Sequence, residues 1–263
     1  MKYVAVTGAY GGIGRAVVET LRDNGFFVFA LDVKVEEVEN NVMPIQVDVR
    51  DSESVNKALE QIKSVTDTLY AIAHFAGVYA LDSLVEVPDD KFLRSFDINV
   101  FGVFRINKTF MPLLKNGSRI LITTSELAPL NPLPFTGIYA ITKSTLDKYA
   151  LSLKMELQLL GIHVSVLRPG AVKTELLNDS TTELDRFCDN TKLYSCNARR
   201  FKKIVNGVET KNITPKKVSL KALKAIKKKK PKYVYKINRN PLLILLSVLP
   251  VRLQAWILRK ILK

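Results

Sequence analysis

Three residues in the middle of the chain have types and spacing that could move a proton to or from a carbonyl oxygen. Tyr139 and Lys143 lie four residues apart in "YAITK", and this spacing places both side chains on one face of a predicted helix. A phenol titrates near pH 10, but an adjacent ammonium favours the phenolate and brings proton transfer within reach at neutral pH. Ser125 follows the apolar run "RILITT", where its hydroxyl could hold a carbonyl oxygen beside the phenol. This group predicts acid–base chemistry on an alcohol or a ketone.

A glycine-rich turn near the start of the chain suggests what could react with that carbonyl. In "VTGAYGGIG" at 6–14, Gly8, Gly12 and Gly14 separate a predicted strand from a predicted helix. A helix N-terminus offers unpaired N–H groups and a positive dipole end, so a turn without side chains lets a diphosphate approach closely. The pattern TGxxxGxG is a variant of the dinucleotide fingerprint. The alternative is a glycine-rich turn that holds no ligand.

Two acidic residues follow later predicted strands, where this architecture meets the adenosine part of a dinucleotide. Asp32 lies 24 residues after Gly8, and a carboxylate there accepts hydrogen bonds from a free ribose 2′-OH but repels a 2′-phosphate. We therefore expect NAD, with NADP as the alternative, because Lys34 could soften the repulsion. Asp48 could meet the adenine amino group, or it could be a turn residue at the end of a strand.

Apolar runs and amphipathic stretches alternate along the chain, which is typical of a parallel sheet flanked by helices. Strands are predicted at 2–7, 26–31, 44–49, 69–75, 118–124, 162–168 and 232–237. Helices are predicted at 12–24, 52–65, 88–115 with a kink at Pro112, 136–160 and 214–230. Right-handed crossovers make this an α/β fold with a doubly wound parallel sheet, that is, a single-domain Rossmann fold. We expect a catalytic domain over 1–240, with a lid at about 175–212, and a helical C-terminal extension over 241–263.

Composition narrows the compartment and the partners. The 263 residues suffice for one domain, and the two cysteines, Cys188 and Cys196, are too few for a disulfide framework. We expect free thiols, although a bridge between them is the alternative. The chain starts directly with a strand and without a signal peptide, so a cytoplasmic location is expected. No pattern predicts a metal site or a nucleic-acid partner.

The positive charge is concentrated in the last quarter of the chain. Residues 1–198 carry 20 Lys+Arg and 24 Asp+Glu, a net −4, whereas residues 199–263 carry 20 against one acid, a net +19. Within 241–263, leucines, Trp256 and other apolar residues alternate with Arg252, Arg259, Lys260 and Lys263. Such a segment could lie in a bilayer interface, supported by the lysines of 214–230. The alternative is packing on the catalytic domain or on a second subunit, which Pro250 favours because it divides the segment.

The chain resembles the short-chain dehydrogenases/reductases over about residues 1–175. The matching pieces are "TGAYGGIG", Asp32, Asp48-Val49, "HFAG" at 74–77, Asn99 in "DINVFG", Ser125, "YAITK" and "RPGAVKT" at 168–174. The resemblance implies Tyr139 as the proton donor or acceptor, Lys143 as its pKa modulator and a ribose ligand, and Ser125 as the residue that positions the substrate oxygen. Asn99 would kink a helix and hold a water of the proton relay. The implied cofactor-binding residues are Gly8, Tyr10, Gly12, Ile13, Gly14, Asp32, Asp48, Val49, Ala76, Gly77, Tyr139, Lys143, Pro169, Gly170, Val172 and Thr174.

The chain departs from the family pattern at two places. His74 replaces the first asparagine of the usual "NNAG", and we interpret it as a core histidine rather than a residue beside the cofactor. The apolar, basic end of the chain resembles the branch with retinol and 17β-hydroxysteroid dehydrogenases. A homodimer or a homotetramer would fit such a protein.

Two functions of different classes fit these observations. The first is an NAD(P)(H)-dependent oxidoreductase acting on a secondary alcohol or ketone. Its substrate would be lipophilic if the apolar lid residues line the site; ordinary packing of a lid helix is the alternative. These residues are Leu176, Leu177, Leu184, Phe187, Leu193 and Tyr194. The second function is a non-catalytic dinucleotide-binding adaptor whose basic end contacts a membrane or a nucleic acid.

Overall fold

Seven strands of this protein form one parallel sheet, which confirms the predicted doubly wound fold. In the computed structural model, the backbone is described for residues 1–209 and 212–263, and the side chains for 1–174, 182–207 and 212–263. The strands are β1 (Lys2–Thr7), β2 (Phe26–Asp32), β3 (Val42–Gln46), β4 (Leu69–His74), β5 (Leu114–Thr123), β6 (His163–Pro169) and β7 (Val234–Ile237). Their order in the sheet is β3-β2-β1-β4-β5-β6-β7, and every neighbouring pair is parallel.

Helices connect the strands and cover both faces of the sheet. Those of the catalytic core are α1 (Gly12–Arg22), α2 (Ser52–Lys63), α3 (Asp89–Phe96), α4 (Gly102–Phe110) and α5 (Gly137–Leu157). Those that follow β6 are α6 (Glu175–Asn190), α7 (Ser195–Glu209), α8 (Pro215–Lys227), α9 (Pro241–Val248) and α10 (Val251–Leu262). Local signals explain several of the boundaries; for example, the carboxylate of Asp51 accepts a hydrogen bond from the N–H of Glu53 (2.9 Å) and caps α2.

The strand order reverses between β1 and β4, and this position determines where a ligand can bind. β1 pairs with β2 on one side and with β4 on the other, so that Thr7 lies opposite His74. In doubly wound sheets, the crevice outside the carboxyl ends of the strands at such a reversal is the binding site. The glycine turn after β1 and the "HFAG" segment therefore border the same crevice.

Two buried clusters hold the helices on the sheet. One face of the sheet packs Phe29 and Ile72 against Ile106 and Phe110 of α4, all of them fully buried. The other face packs against α1 and α8 through residues such as Val17 and Val218. Replacing a large buried side chain such as Phe110 by alanine would cost about 3–5 kcal/mol of stability. The apolar periodicity of the sequence thus reports two layers of helices around one sheet.

Three predicted elements have different boundaries in the structure. β3 covers Val42–Gln46 rather than 44–49, so Asp48 and Val49 lie in the loop that follows it. β5 begins at Leu114, four residues before the predicted start. The predicted helix 88–115 is α3, a π-helical turn at Asp97–Phe101, α4 and a 3₁₀ turn that contains Pro112. The π turn is centred on Asn99, whose side-chain amide bonds to the backbone of another segment.

The C-terminal extension forms two helices, and Pro250 separates them as predicted. α10 packs on the catalytic domain: Leu262 is buried with Leu184 and Phe187, and its carbonyl accepts a hydrogen bond from Asn197 Nδ2 (2.7 Å). The inner face of α10 therefore packs on the domain. Among the described residues, no helix combines the length and the hydrophobicity that a bilayer crossing requires.

The lysines at the end of α8 lie at the opposite edge of the sheet from the start of this extension. α8 leads from the carboxyl end of β6 to the amino end of β7, so its last turn is at the amino edge of the sheet. Lys227 Nζ donates to Asn24 Oδ1 (3.4 Å), and Asn24 precedes β2. Of the lysines of 214–230 that were expected to support the extension, those at 227–230 therefore lie at the opposite edge of the sheet from the start of α9, whereas Lys216 and Lys217 lie in the first turn of α8.

Both cysteines are free thiols.

Candidate active site

The glycine turn after β1 has no room for side chains. Gly8 has a positive φ of 64°, and a Cβ atom there would lie 2.4 Å from the backbone nitrogen of Ala76. A Cβ on Gly14 would lie 1.9 Å from the carbonyl oxygen of Gly8, and one on Gly12 would lie 2.7 Å from Cγ2 of Thr174. The helix that follows has a glycine at its N-cap and no side-chain cap among the described residues. Bare backbone therefore surrounds the positive end of α1, as a diphosphate site requires.

Asp32 is fixed at the end of β2, next to this turn. Its Oδ2 atom accepts a hydrogen bond from the N–H of Tyr10 (2.9 Å), and its Oδ1 atom accepts one from the N–H of Val33 (2.8 Å). Close by, both guanidinium nitrogens of Arg15 bind the carboxylate of Glu36. The predicted ribose ligand is thus held beside the phosphate turn.

Asp48 is engaged by its own loop. Nε and Nη2 of Arg50 donate to the carboxylate of Asp48 at 2.6–3.1 Å, and the backbone N–H of Arg50 donates to its Oδ1 atom (2.9 Å). The Arg50 guanidinium holds the pKa of this carboxyl below its usual range. This geometry favours the turn-residue interpretation of Asp48. Its neighbour Val49 packs against Gly102 of α4, where a Cβ would lie 2.7 Å from Val49 Cγ2.

Ser125, Tyr139 and Lys143 converge at the carboxyl end of β5. Ser125 follows β5 by two residues, and a hydrogen bond joins its hydroxyl to the phenol of Tyr139 on α5. One turn further along the helix, Lys143 Nζ donates to the carbonyl of Thr123 (3.2 Å) and lies 5.6 Å from the centroid of the Tyr139 ring. The three side chains that the sequence spacing selected therefore form one group.

Burial controls the protonation of this group. It raises the pKa of Tyr139 to about 12, although the hydrogen bond from Ser125 acts in the opposite direction, and it lowers the pKa of Lys143 to about 8. The expected lowering of the phenol pKa by the ammonium is therefore not the dominant effect, because loss of water penalises the phenolate more strongly. At neutral pH, Tyr139 is a phenol with a proton to give.

Asn99 connects two segments that border the catalytic group. From the π-helical turn, its Oδ1 atom accepts a hydrogen bond from the N–H of Val78 (2.8 Å), and its Nδ2 atom donates to the Val78 carbonyl (3.0 Å) and to Oγ1 of Thr142 (3.2 Å). Gly77 lies between the two sides: a Cβ there would be 3.1 Å from Asn99 Oδ1 and 3.5 Å from Lys143 Nζ. π turns of this kind are frequent at functional sites.

The segment after β6 closes the other side of the crevice. The N–H of Gly170 donates to the carbonyl of Ile237 (2.9 Å), and a Cβ on Gly170 would lie 1.9 Å from the carbonyl oxygen of Asn238. Val172 is buried and forms a bridge with Ile213, and Thr174 is the N-cap of α6. Pro169, the last residue of β6, lines the cavity described next.

A cavity of about 230 Å³ lies between the catalytic group and the C-terminal helices. Ser125, Tyr139 and Lys143 form its polar wall. Apolar side chains form most of the remainder; they include Phe75, Leu127, Leu133, Phe201, Ile204, Val205 and Leu243. A hydrophobic ligand would therefore lose water on entering this site.

The residues present fit a bound dinucleotide. The bare turn leads to the positive end of α1, Asp32 is held where a ribose hydroxyl would arrive, and Gly77, Gly170 and Ile13 border the cavity beside the catalytic group. Thr123 also has a buried hydroxyl oxygen without a hydrogen-bond partner in the described part of the chain. A nicotinamide at this position would supply or accept a hydride next to the phenol of Tyr139.

Comparison with known proteins agrees with this geometry. The family model described as "short chain dehydrogenase" matches residues 2–185. This chain belongs to the short-chain dehydrogenase family. It is 29% identical over 267 residues to the "Uncharacterized oxidoreductase YbbO" of Escherichia coli strain K12, with 98% of this chain and 94% of that protein covered.

Two further relatives have names that describe lipid substrates. Identity to the 3-ketodihydrosphingosine reductase of Bacteroides thetaiotaomicron is 24% over 255 residues, covering 97% of this chain and 92% of that protein. Identity to the estradiol 17-beta-dehydrogenase 2 of Mus musculus is 31% over 187 residues, covering 66% and 49%. The solved structure of a short-chain dehydrogenase family protein from Francisella tularensis has the same fold, with a TM-score of 0.75 at 22% identity over 90% of this chain and 97% of that one.

Members of the short-chain dehydrogenase family are oxidoreductases, and this chain is an enzyme of that family acting on CH–OH donors with NAD(P) as acceptor. The alternative of a non-catalytic adaptor finds no support in the family match or in the relatives. Tyr139 and Lys143, the residues expected to carry the chemistry, lie next to each other in the structure.

His74, the family departure, lies in the core as interpreted. It is 2% exposed, and its Nε2 atom is 2.9 Å from Oδ1 of Asn107, whose Nδ2 atom donates to the hydroxyl of Tyr149 (3.2 Å). Burial lowers the pKa of His74 to about 4, so the ring is neutral at physiological pH. The Nδ1 atom is buried without a partner among the described residues.

The lid residues that line the cavity are not those that the sequence suggested. Leu184 and Phe187 are buried in a cluster that also contains Phe201 and against which Tyr194 packs, and Leu193 is exposed. The side chains of Leu176 and Leu177 lie outside the described residues. The apolar wall comes instead from α7 and α9, through Phe201, Ile204, Val205 and Leu243.

Tyr79 and Glu126 also line the cavity and were not selected from the sequence. The Tyr79 ring lies 4.5 Å from that of Tyr139, measured between centroids. The sequence feature that could have indicated Glu126 is its position directly after Ser125.

Proposed function

We propose that this enzyme transfers hydride between NAD(H) and a secondary alcohol or ketone of a lipophilic compound, at the cytoplasmic surface of a membrane. The observation that carries the proposal is the position of Tyr139 and Ser125 in the wall of an apolar cavity that borders the dinucleotide turn. Each finer part of the proposal has its own support.

The protein residues would handle the proton while the dinucleotide handles the hydride. In the reducing direction, Tyr139 gives its phenolic proton to the carbonyl oxygen as hydride adds to the carbonyl carbon; the oxidising direction reverses both transfers. Ser125 holds the oxygen through its hydroxyl, which already contacts the phenol. Lys143 would bind the nicotinamide ribose and stabilise the phenolate left behind, since its ammonium is the cation next to that ring. Asn99 would hold a water of the proton relay next to Val78.

Charge around the adenosine ribose supports NAD over NADP. The carboxylate of Asp32 is fixed by two backbone N–H groups, so it cannot turn away from a 2′-phosphate without losing both hydrogen bonds. Arg15 is one cation next to the turn, and Glu36 neutralises it through a bidentate pair. A 2′-phosphate would therefore meet fixed negative charge.

Apolar lining and the relatives support a lipophilic substrate. Most of the cavity wall is aliphatic or aromatic, and α9 supplies Leu243 to it. Two relatives are named for a sphingoid ketone and for a steroid. A long-chain or polycyclic ketone would gain about 25 cal/mol for each Å² of apolar surface that it buries.

Exposed apolar side chains beside that cavity support contact with a membrane. On α9, Leu242 and Leu245 are 68% and 61% exposed, and on α10 Trp256 is 57% exposed. Arg252 and Arg259 are exposed on the same helix as Trp256. We infer that this outer face lies in the interface of an anionic membrane. The homodimer or homotetramer stays a prediction.

Removal of the Tyr139 hydroxyl tests the mechanism. We expect Tyr139→Phe to lower kcat by 10²–10⁴-fold, the range for general acid–base catalysis, with NADH affinity and melting temperature nearly unchanged. Tyr149→Phe is the matched control, because Tyr149 is a partly buried tyrosine of the same helix that bonds to Asn107 away from the cavity. A loss of only a few-fold in Tyr139→Phe, or an equal loss in both variants, would rule out the proton-transfer role.

A further inference from the structure

Glu126 places a carboxylate in the wall of the mostly apolar cavity, next to its polar group of Ser125, Tyr139 and Lys143. It directly follows Ser125, it is 7% exposed, and its backbone N–H donates to the carbonyl of Pro169 (2.9 Å). Its side chain and that of Ser125 both line the cavity. A substrate whose carbonyl oxygen is held by Ser125 would therefore occupy the cavity that Glu126 also borders.

The two oxygens of this carboxylate have different surroundings. Oε2 accepts a hydrogen bond of 2.6 Å from the N–H of Asn240, the residue whose own side chain caps α9. Oε1 makes no hydrogen bond within the described part of the chain. It faces Gly170, where a Cβ atom would come within 2.8 Å of it. Because that position is a glycine that also lines the cavity, Oε1 remains accessible from the cavity.

Charge balance around Glu126 is incomplete. Lys143 is the other charged residue among the described lining residues, and its ammonium already donates to the Thr123 carbonyl. Arg239 acts on the carboxylate electrostatically but forms no ion pair with it within 4 Å in the described residues. Burial raises the pKa of Glu126, against the opposing effects of the Asn240 N–H and of Arg239. A carboxylate oxygen that faces a cavity without a donor can accept a strong hydrogen bond, and a ligand that supplies the donor would gain that bond.

We propose that Oε1 of Glu126 binds a hydrogen-bond donor of the substrate, an ammonium or hydroxyl group on the carbon next to the reacting carbonyl. The inference rests on the proposed function and narrows it to lipophilic α-amino or α-hydroxy ketones and the corresponding alcohols. Ser125 then holds the carbonyl oxygen while Glu126 holds the neighbouring substituent. Glu126 is thereby a specificity-determining residue rather than a proton donor.

Three ketones of equal chain length test this selectivity: 2-aminododecan-3-one, 2-hydroxydodecan-3-one and dodecan-3-one. Hydrogen bonds to charged groups are stronger than those between neutral groups. We therefore expect kcat/KM at saturating NADH to be at least tenfold higher for a ketone that carries the donor than for dodecan-3-one. The ranking of the amino and hydroxy ketones identifies the donor.

Glu126→Gln isolates the role of Oε1. The amide oxygen can still accept from Asn240, so α9 keeps its anchor, whereas the amide NH₂ replaces the acceptor that faces the cavity. We expect kcat/KM for the preferred ketone to fall at least tenfold, mainly through KM, and the value for dodecan-3-one to change less than threefold. Glu86→Gln is the matched control, because that carboxylate binds Thr191 and two backbone N–H groups outside the cavity.

Binding gives a second measurement that does not require turnover. The NADH-loaded protein, which cannot oxidise an alcohol, should bind 2-aminododecan-3-ol or dodecane-2,3-diol at least tenfold more tightly than dodecan-3-ol, and Glu126→Gln should remove this difference. Equal kcat/KM values of the parent enzyme for all three ketones would overturn the assignment of Glu126 while leaving the proposed function intact. Failure to turn over any ketone or alcohol with either dinucleotide would refute the proposed function itself, and equal binding of the three alcohols would then refute the assignment separately.

Discussion

His74 makes the stability of this protein depend on pH in a way that can be calculated from the structure. The ring is buried, neutral and bonded to Asn107, and its pKa is lowered from 6.5 to about 4 by burial. The unfolded chain therefore takes up a proton on His74 at a higher pH than the folded protein does. Stability is complete above pH 6.5 and falls as the pH drops from 6.5 towards 4.

The size of the effect follows from the two pKa values. They differ by 6.5 − 4, about 2.5, and each unit corresponds to about 1.36 kcal/mol, so the full loss is about 3 kcal/mol. This is a large fraction of the 5–15 kcal/mol that typically separates folded from unfolded domains. We expect His74→Asn to remove this loss, because the amide does not titrate and can still donate to Asn107.

Urea unfolding at pH 7.5 and pH 4.5 measures the difference. Carboxylates with lowered pKa values, such as Glu86, also destabilise the parent in acid, so the quantity to compare is the loss in the parent minus the loss in the variant. We expect this difference to be about 2–3 kcal/mol for His74→Asn. His163→Asn is the control, since His163, the other histidine of the chain, is only partly buried. Equal losses in the parent and in His74→Asn would refute the reasoning.

Two further predictions concern the cofactor and the membrane. Asp32→Ala should narrow the preference of the enzyme for NAD over NADP, measured as the ratio of kcat/KM values, and a parent enzyme that already works better with NADPH would overturn the assignment. Leu242→Glu with Leu245→Glu should abolish cosedimentation with anionic vesicles and leave the fold intact, because both side chains are exposed. The exposed pair Leu159→Glu and Leu160→Glu serves as the control, and a parent protein that stays in the supernatant with anionic vesicles would refute membrane binding.

Local sequence patterns predicted the sheet because its strands are buried on both faces and therefore appear as apolar runs. The boundaries of helices and strands were mispredicted where something other than the hydrophobic pattern determines them. The π turn around Asn99 interrupts a continuous helical pattern, since a side-chain amide that bonds to Val78 leaves no periodic trace. β3 ends at Gln46 although the apolar run continues to Val49, because Val47 and Val49 are buried outside the ladder.

The sequence predicted those residues of the candidate site that belong to one short motif or directly follow a strand. Ser125, Tyr139 and Lys143 meet as expected because a strand end and a helical repeat fix their directions. The pKa of Tyr139 was not predictable, since burial depends on everything that packs around it and outweighs the neighbouring ammonium. Which lid residues line the cavity was not predictable for the same reason: only packing shows that Leu184 and Phe187 lie in a buried cluster while Phe201, Ile204 and Val205 of α7 reach the cavity.

The basic C-terminal quarter shows why proximity along the chain is a poor guide to a charged surface. A helix between two parallel strands runs from one edge of the sheet to the other, so the lysines of its last turn end up remote from the extension that follows the next strand. If α9 and α10 form the membrane face, reversing the charges of Lys228, Lys229 and Lys230 should leave vesicle binding unchanged. Reversing Arg252 and Arg259 should weaken it, by about 1 kcal/mol for each cation removed from the surface. Equal weakening by the two sets would mean that the membrane contacts the protein through charge alone, without the orientation that brings the apolar cavity to the bilayer.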